Sequence, residues 1–389
     1  MSAPAPLIHG SVAPGWGGVA DAFAANFTDR GDVGAACCVY HDGAAVVHLW
    51  AGLSDPTEDR EWTENTIQLV FSATKGATAV CVHLLAQQEM LDLDEPITAV
   101  WPEFAAHGKD AITLRMVMCH RAGLAAIDGD LTLDDVLAGD AVTAAIAAQA
   151  PNWEPGTAQG YHVRSYGYIV GEVVRRVTGH SLGRFFADEV AGPLGLDFWI
   201  GLPEAQLPRV ARVIPPDEPD DPDLRALVAE FFAGDSLTAR AMSGPSRLFA
   251  YDEMWNDPHL LYAEMPSSNG VADARSVARM YAATLGEVDG VRLLDDDTLA
   301  DATTEQSNER DLVIGLALRY GTGFALAPTI GLSAGPGAFG HSGAGGSVGM
   351  ADLDTGFSLG YVMNRMELVE TEGRADALIA AASRAASSV

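Results

Sequence analysis

The run Val70-Phe71-Ser72-Ala73-Thr74-Lys75-Gly76 leaves a short apolar segment and opens an Ala- and Val-rich helix, read as Ala77 to Met90. It sets a serine and a lysine three residues apart. Positions i and i+3 share one helix face, so hydroxyl and amine can point into the same cleft. A Ser-x-x-Lys pair at a helix start is a nucleophile with its proton acceptor beside it.

The lysine is notable because the chain contains only two, Lys75 and Lys109. Lys109, in His107-Gly108-Lys109-Asp110, reads as a solvated turn residue. Lys75 has an apolar setting that argues against the surface. A free lysine, with a pKa of about 10.4, costs roughly 4.6 kcal/mol to deprotonate at pH 7, and a tyrosine roughly 4 kcal/mol. Placed together, each shifts the other: an ammonium stabilises a phenolate, and burial favours the neutral amine. A tyrosine after a turn and near a helix start is therefore the expected third member. Gly160-Tyr161-His162-Val163, after Trp153-Glu154-Pro155-Gly156-Thr157, fits. Tyr166 and Tyr168 lie close by, and the plain alternative for all three is an amphipathic ring with its hydroxyl satisfied.

A further candidate is Phe339-Gly340-His341-Ser342-Gly343-Ala344-Gly345-Gly346, a glycine-rich strand edge that a substrate can approach closely. One amide here together with that of Ser72 could form an oxyanion hole, where losing one donor typically costs about 2.7–4 kcal/mol. Gly340 to Ala344 also nearly matches the Gly-x-Ser-x-Gly elbow, whose histidine follows the serine. No histidine follows His341, so that triad is unavailable and Ser342 is not the expected nucleophile.

Around these stretches the texture alternates. Trp16, Val19, Phe23 and Phe27 recur at helical spacing. Gly34 to Tyr40 and Ala44 to Leu49 flank His41-Asp42-Gly43, a hairpin signal. From Ala77 onward Ala77–Met90, Thr113–His120, Leu131–Gln149, Tyr166–Val177 and Leu182–Val190 read as helices. Arg209 to Asp223, rich in proline and acid, reads as a surface loop. Leu224 to Tyr262 reads as helices packed on this lobe, with a lid over an apolar pocket (205–265) as the second reading. Ala274 to Leu285 is a helix, Tyr320–Ala327, Ser347–Leu353 and Gly356–Asn364 are strands, and Thr371 to Ala386 is a closing helix. The expected fold class is α+β, a mixed arrangement in which one antiparallel sheet from both ends is flanked by terminal helices and carries an inserted helical lobe. The expected division is 1–75 with 266–389, and 76–265, with the active site between them.

Composition narrows the functions. The 389 residues, 48% of them hydrophobic, suffice for a large core. A net charge of -30 disfavours nucleic acid and anionic membranes as partners. Cys37, Cys38, Cys81 and Cys119 form no C-x-x-C pair and read as small buried hydrophobes in a reducing compartment, not a metal site. Met1 to His9 lacks the pattern of a signal peptide, and no apolar run spans a bilayer, so a cytoplasmic location is expected.

Ser72-Ala73-Thr74-Lys75, Tyr161-His162-Val163 and His341-Ser342-Gly343, in this order, resemble the serine β-lactamase and penicillin-binding-protein superfamily. The similarity is to its class C-like branch, the family VIII carboxylesterases, and spans roughly Gly34 to Asn364. Ile112-Thr113-Leu114-Arg115, His120-Arg121-Ala122-Gly123-Leu124 and Asn364-Arg365 are supporting phrases. The resemblance implies a β-lactamase/transpeptidase-like fold. It implies that Ser72 is acylated, that Lys75 and Tyr161 activate it and relay its proton, and that the amides of Ser72 and Ala344 hold the oxyanion. It implies that His341, Ser342 and Gly343, with Val163, line the substrate. Two positions depart from the lactamase pattern. Val163 stands where those enzymes carry an asparagine, and His341, partly protonated near neutral pH, where they carry a lysine. Both changes remove groups that grip an anionic, amide-bearing β-lactam, and neither costs an uncharged ester anything.

The expected activity is a serine carboxylesterase on small, largely apolar esters, needing no metal or organic cofactor. The alternative is a β-lactamase or D,D-peptidase-like hydrolase, or an acyltransferase or amidase using the same acyl-enzyme. A binding protein without activity is disfavoured by the intact Ser72, Lys75 and Tyr161. The expected partner is a small-molecule ester alone; no residue pattern points to an oligomeric state.

Overall fold

Strand pairing draws the two ends of the chain together. The computed structural model describes residues 6–232, 234–367 and 373–388. In it Gly34–His41 lies antiparallel to Phe357–Met363, with Cys38 opposite Gly360 and Tyr40 opposite Ser358. The large sheet runs, in spatial order, His9–Val12, Ala44–Asp55, Gly34–His41, Phe357–Met363, Val348–Asp352, Ala338–Ser342, Ala325–Leu326, Ala317–Tyr320 and Ser307–Arg310. The short strand Arg60–Glu61 pairs off Ala44–Asp55.

Alternation along a strand assigns the two faces. Cys37 and Val39 join Val19 and Phe23 of the helix Gly17–Asp29 and Leu378 and Ile379 of the helix Arg374–Ala386. Ala36, Cys38 and Tyr40 join Val277 and Ala278 of the helix Ala274–Leu285. A strand covered on both sides reads as an unbroken apolar run. That is why Gly34–His41, all but His41 buried, shows no polar alternation. Gly360 lets the second helix sit this close: a Cβ there would come 2.2 Å from the Ala274 carbonyl oxygen. All four cysteines are buried and free. Among the described residues no helix is long and apolar enough to cross a membrane.

The α+β reading holds: helices and an antiparallel sheet make the fold. Several elements differ from the sequence reading. Leu131–Gln149 is two helices, Leu133–Ala138 and Asp140–Ala148, broken at Gly139 with φ +85°. Tyr320–Ala327 is two strands, Ala317–Tyr320 and Ala325–Leu326, because Gly321-Thr322-Gly323 turns the chain between them. The loop from Arg209 is not all surface: Ala211 and Val213 are buried and Ile214 bridges Arg365. The acidic 217–223 part is exposed. The closing helix begins at Arg374; the start given to it at Thr371 lies outside the described residues. A small sheet of Gln68–Leu69, Val271–Ala272 and Phe198–Trp199 was not legible in such short pieces.

Lys109 is the clearest correction. It is fully buried, not solvated. Its Nζ donates to the Ala106 carbonyl at 2.8 Å and to the carbonyl of Gln149, the C-cap of Asp140–Ala148. Helix C-terminal carbonyls lack intrahelical partners and attract cations, so a lysine that looks free in sequence is drawn in.

Candidate active site

The nucleophile turn is built by tension between strand and helix. Phe71 has φ +46°, the left-handed region, which costs a bulky residue about 1–3 kcal/mol. Tyr251 and Trp255 hold its ring edge-on, with centroids 5.8 and 5.1 Å away. Behind it, the Val70 N–H donates to Gly270 O at 2.8 Å, and Thr74 Oγ1 accepts from Gly270 N at 2.8 Å. A 3-10 turn, Phe71–Ala73, then enters the helix Thr74–Gln87. The helix thus begins earlier than Ala77, and Ser72 sits in its first turn, where N–H groups have no intrahelical acceptor.

Lys75 is fully buried. Its Nζ donates to Val163 O at 2.8 Å and to Ser267 O at 3.0 Å, and lies 3.3 Å from Ser72 Oγ. Carbonyl oxygens only accept, so two N–H bonds are committed to them. A neutral amine then has its lone pair left for the Ser72 hydroxyl. Burial, and next the charge of Arg164, hold the Lys75 pKa well below the usual lysine range. No Asp or Glu forms an ion pair with Lys75 or Arg164 among the described residues.

Tyr161 completes the cluster. Its ring centroid is 4.8 Å from Lys75 Nζ. Burial raises its pKa, which the neighbouring Ser72 hydroxyl and the Arg164 charge oppose. Its ring stacks between Tyr320, 6.4 Å away, and His341, 6.0 Å away, with His120 edge-on at 4.8 Å. Gly160 lets the chain pass Trp153, whose indole would stand 2.6 Å from a Cβ at 160. His162 pins the loop: Nδ1 donates to Gly160 O at 2.6 Å, and Nε2 accepts from Leu124 N at 3.0 Å. Burial pushes its pKa down to about 4, so the ring is neutral at pH 7. Its own N–H donates to His120 Nδ1 at 3.2 Å. The Val163 side chain is buried, and its carbonyl is what reaches Lys75.

Gly343 fits the strand end against the nucleophile turn. A Cβ there would fall 2.1 Å from Val70 O and 2.3 Å from Ser347 Oγ. The next residue, Ala344, is half-buried, and among the described residues neither its N–H nor that of Ser72 has a hydrogen-bond partner. The strand partner on the Ala325–Leu326 side stops at Gly340, leaving His341 and Ser342 at an open edge. Ser342 is exposed, whereas His341 is buried with Nδ1 donating to Ser342 O at 2.6 Å. Burial, then Lys75, pushes the His341 pKa down to about 3. His341 is therefore neutral at pH 7, which corrects the partial protonation expected from its sequence setting.

The structure thus brings Ser72, Lys75 and Tyr161 together, with the 341–344 strand end against the same turn. Arg164 was not singled out in sequence, and His120 and Tyr251 entered only within longer stretches. His120 has φ +62°, invisible in sequence, and Arg164 and Tyr251 gain their setting only through distant packing. The segment 222–262 both packs as helices and supplies a wall. An apolar cavity of about 390 Å³ lies among Val228, Phe232, Phe249 and Tyr251, the residue that meets Phe71 edge-on. Among the described residues no group of three or more His, Cys, Asp or Glu side chains is disposed to hold a metal ion.

The fold and this cluster define a hydrolase of the serine beta-lactamase fold. The chain belongs to the beta-lactamase family, which matches residues 20–384. The chain is similar to esterase/beta-lactamase LipL of Mycobacterium tuberculosis, 35% identical over 370 residues, covering 92% of this chain and 83% of that relative. A crystal structure of a family VIII carboxylesterase superposes with a TM-score of 0.86 at 37% identity, covering 97% of this chain and all (100%) of the other. EstA from Arthrobacter nitroguajacolicus Rue61a superposes equally well, TM-score 0.86 at 31% identity, over 97% of this chain and 98% of EstA.

Proposed function

We propose that the protein is a carboxylesterase that hydrolyses small, largely apolar esters through an acyl-enzyme on Ser72. The observation that carries this is Lys75: a buried amine with two hydrogen bonds spent on carbonyls and its remaining valence 3.3 Å from the serine oxygen. In this mechanism Lys75 takes the Ser72 proton as Oγ attacks the ester carbonyl carbon. The oxyanion is held by the free amides of Ser72 and Ala344. The carbon–oxygen bond to the alcohol breaks as Tyr161 donates its phenol proton to the leaving oxygen, and Lys75 passes the proton it took from Ser72 to the phenolate. Water then attacks the acyl-enzyme, its proton passes back through the same pair, and the acid leaves Ser72 free. The same reading takes 1–75 with 266–389 as the sheet lobe and 76–265 as the helical lobe, with the chemistry at their junction.

The apolar cavity beside Tyr251 supports an apolar acyl group. Neither this cavity nor a second hollow of about 390 Å³, beside Glu172, Arg175 and Glu264, is lined by the three reacting residues; the first adjoins the nucleophile turn through the Tyr251–Phe71 contact, so the acyl group is assigned to it. The neutral His341 gives the cleft no strand cation for a β-lactam carboxylate. The dual name of the LipL relative supports residual β-lactam turnover through shared acylation. The test is turnover of p-nitrophenyl butyrate beside nitrocefin by wild type and Ser72→Ala. The ester is expected to be strongly preferred and the variant to be inert. Wild-type rates in the variant, or nitrocefin turnover far above the ester, overturn the proposal.

A further inference from the structure

We propose that Arg164 is a positioning residue of the active site: its buried, carboxylate-free guanidinium keeps Lys75 in the neutral, proton-accepting form. The inference rests on the reading of Lys75 as the base.

The backbone of Arg164 is built into the lysine's own cradle. It follows Val163, whose carbonyl accepts from Lys75 Nζ. Its own carbonyl accepts from Ser267 Oγ at 3.0 Å, and the Ser267 carbonyl is the second acceptor of Lys75. The side chain is 4% exposed. It lies 3.9 Å from the Phe249 ring centre and 5.4 Å from that of Trp255. Gly244 makes room for it, since a Cβ there would come 2.9 Å from Arg164 Cδ. Its NH2 group makes one bond, to Met242 O at 3.3 Å, and Nε has no partner. Aromatic faces suit a guanidinium electrostatically without neutralising it.

A cation held in this way has a consequence for its neighbour. Arginine does not give up its proton in a protein. An ammonium on Lys75 would be a second buried positive charge with no carboxylate to balance it, so the lysine is the group that yields its proton. The other titratable groups facing Lys75 add no compensation. Tyr161, Tyr166, His120, His162 and His341 surround it, and burial holds both the phenols and the imidazoles in their neutral forms. Tyr251 and Tyr168 face Arg164, and burial keeps them neutral as well. Asp311 acts on Tyr161 and Tyr320 and is engaged by the Val313 and Ile314 amides at 2.8 and 2.9 Å. Arg164 is thus the fixed charge that adds to burial in holding Lys75 neutral.

The chain's having only two lysines makes the test direct. Protein carrying lysine labelled with carbon-13 at Cε gives two titrating signals, assigned through Lys109→Arg. In Arg164→Met and Arg164→Gln the Lys75 signal is expected to titrate at least about one unit higher. The acidic limb of kcat/KM against pH moves up with it, about a tenfold loss on that limb. Phe249→Ala, which opens the guanidinium to water, gives a smaller shift in the same direction and serves if neither neutral variant folds. An unmoved Lys75 titration in the folded variants, or a wild-type Lys75 titrating in the ordinary lysine range, overturns the proposal. Because the titration is read without substrate, it fails independently of the esterase assignment: intact titration with no ester turnover sinks the function, not this inference.

Discussion

Tyr161→Phe removes one oxygen and leaves the ring between Tyr320, His341 and His120. The structural cost is the loss of one buried hydroxyl's polar interactions, about 1 kcal/mol. In a chain of this size that lowers Tm by about 2–4 °C at most. The catalytic cost is larger. The Tyr161 ring lies nearer Lys75 Nζ than that of Tyr166, and losing a positioned proton donor costs about 10²–10⁴ in rate, or about 2.7–5.4 kcal/mol. Stability and activity therefore separate by several-fold in energy. Turnover of p-nitrophenyl butyrate, run beside thermal unfolding of the same samples, reads both. A variant that keeps more than about a tenth of wild-type kcat/KM refutes the role given to the phenol. So does an activity loss no larger than the stability loss.

Lys75→Met tests the charge state from the stability side. Folding depresses the Lys75 pKa. Between that value and the ordinary one of about 10.4 the unfolded chain holds a proton the folded chain does not, so stability rises with pH there. Urea unfolding at about pH 7.5 and 8.5 should show wild type gaining about 1.4 kcal/mol relative to Lys75→Met, and activity failing as pH drops through the lowered pKa. Gly343→Ala sets a methyl 2.1 Å from Val70 O and should push the strand end off the nucleophile turn. It should cost about 1–3 kcal/mol of stability and a larger share of kcat than of KM, read by denaturation and ester kinetics. Phe232→Ala enlarges the cavity beside Tyr251, and the octanoate-to-butyrate ratio of kcat/KM is expected to rise about tenfold.

What was legible in the sequence follows a physical divide. Ser72 and Lys75 share a face by helical spacing alone, and the hairpin at Asp42-Gly43 and the helix Ala274–Leu285 follow from local periodicity. Tyr161 was reachable by chemical need, since a lysine and a serine call for a phenol. What depends on distant packing was not legible. Lys109 looked solvated because one of its acceptors, Gln149 O, is brought to it by a later helix; the other, Ala106 O, is local. His341 looked half-protonated because its burial is set by strand order, not by neighbours in sequence. Arg164 had no local signal, because Phe249 and Trp255, which close over it, lie far along the chain. The π-helical turn Ala187–Ala191 has no signature in its composition.

The most direct measurement is the mass of the intact protein, quenched in acid during turnover of p-nitrophenyl butyrate, followed by peptide mapping. One butyryl group is expected, on the peptide carrying Ser72, and none in Ser72→Ala. An acyl group on another residue, such as Ser342, or steady turnover with no acyl group trapped on the Ser72 peptide, would contradict the account.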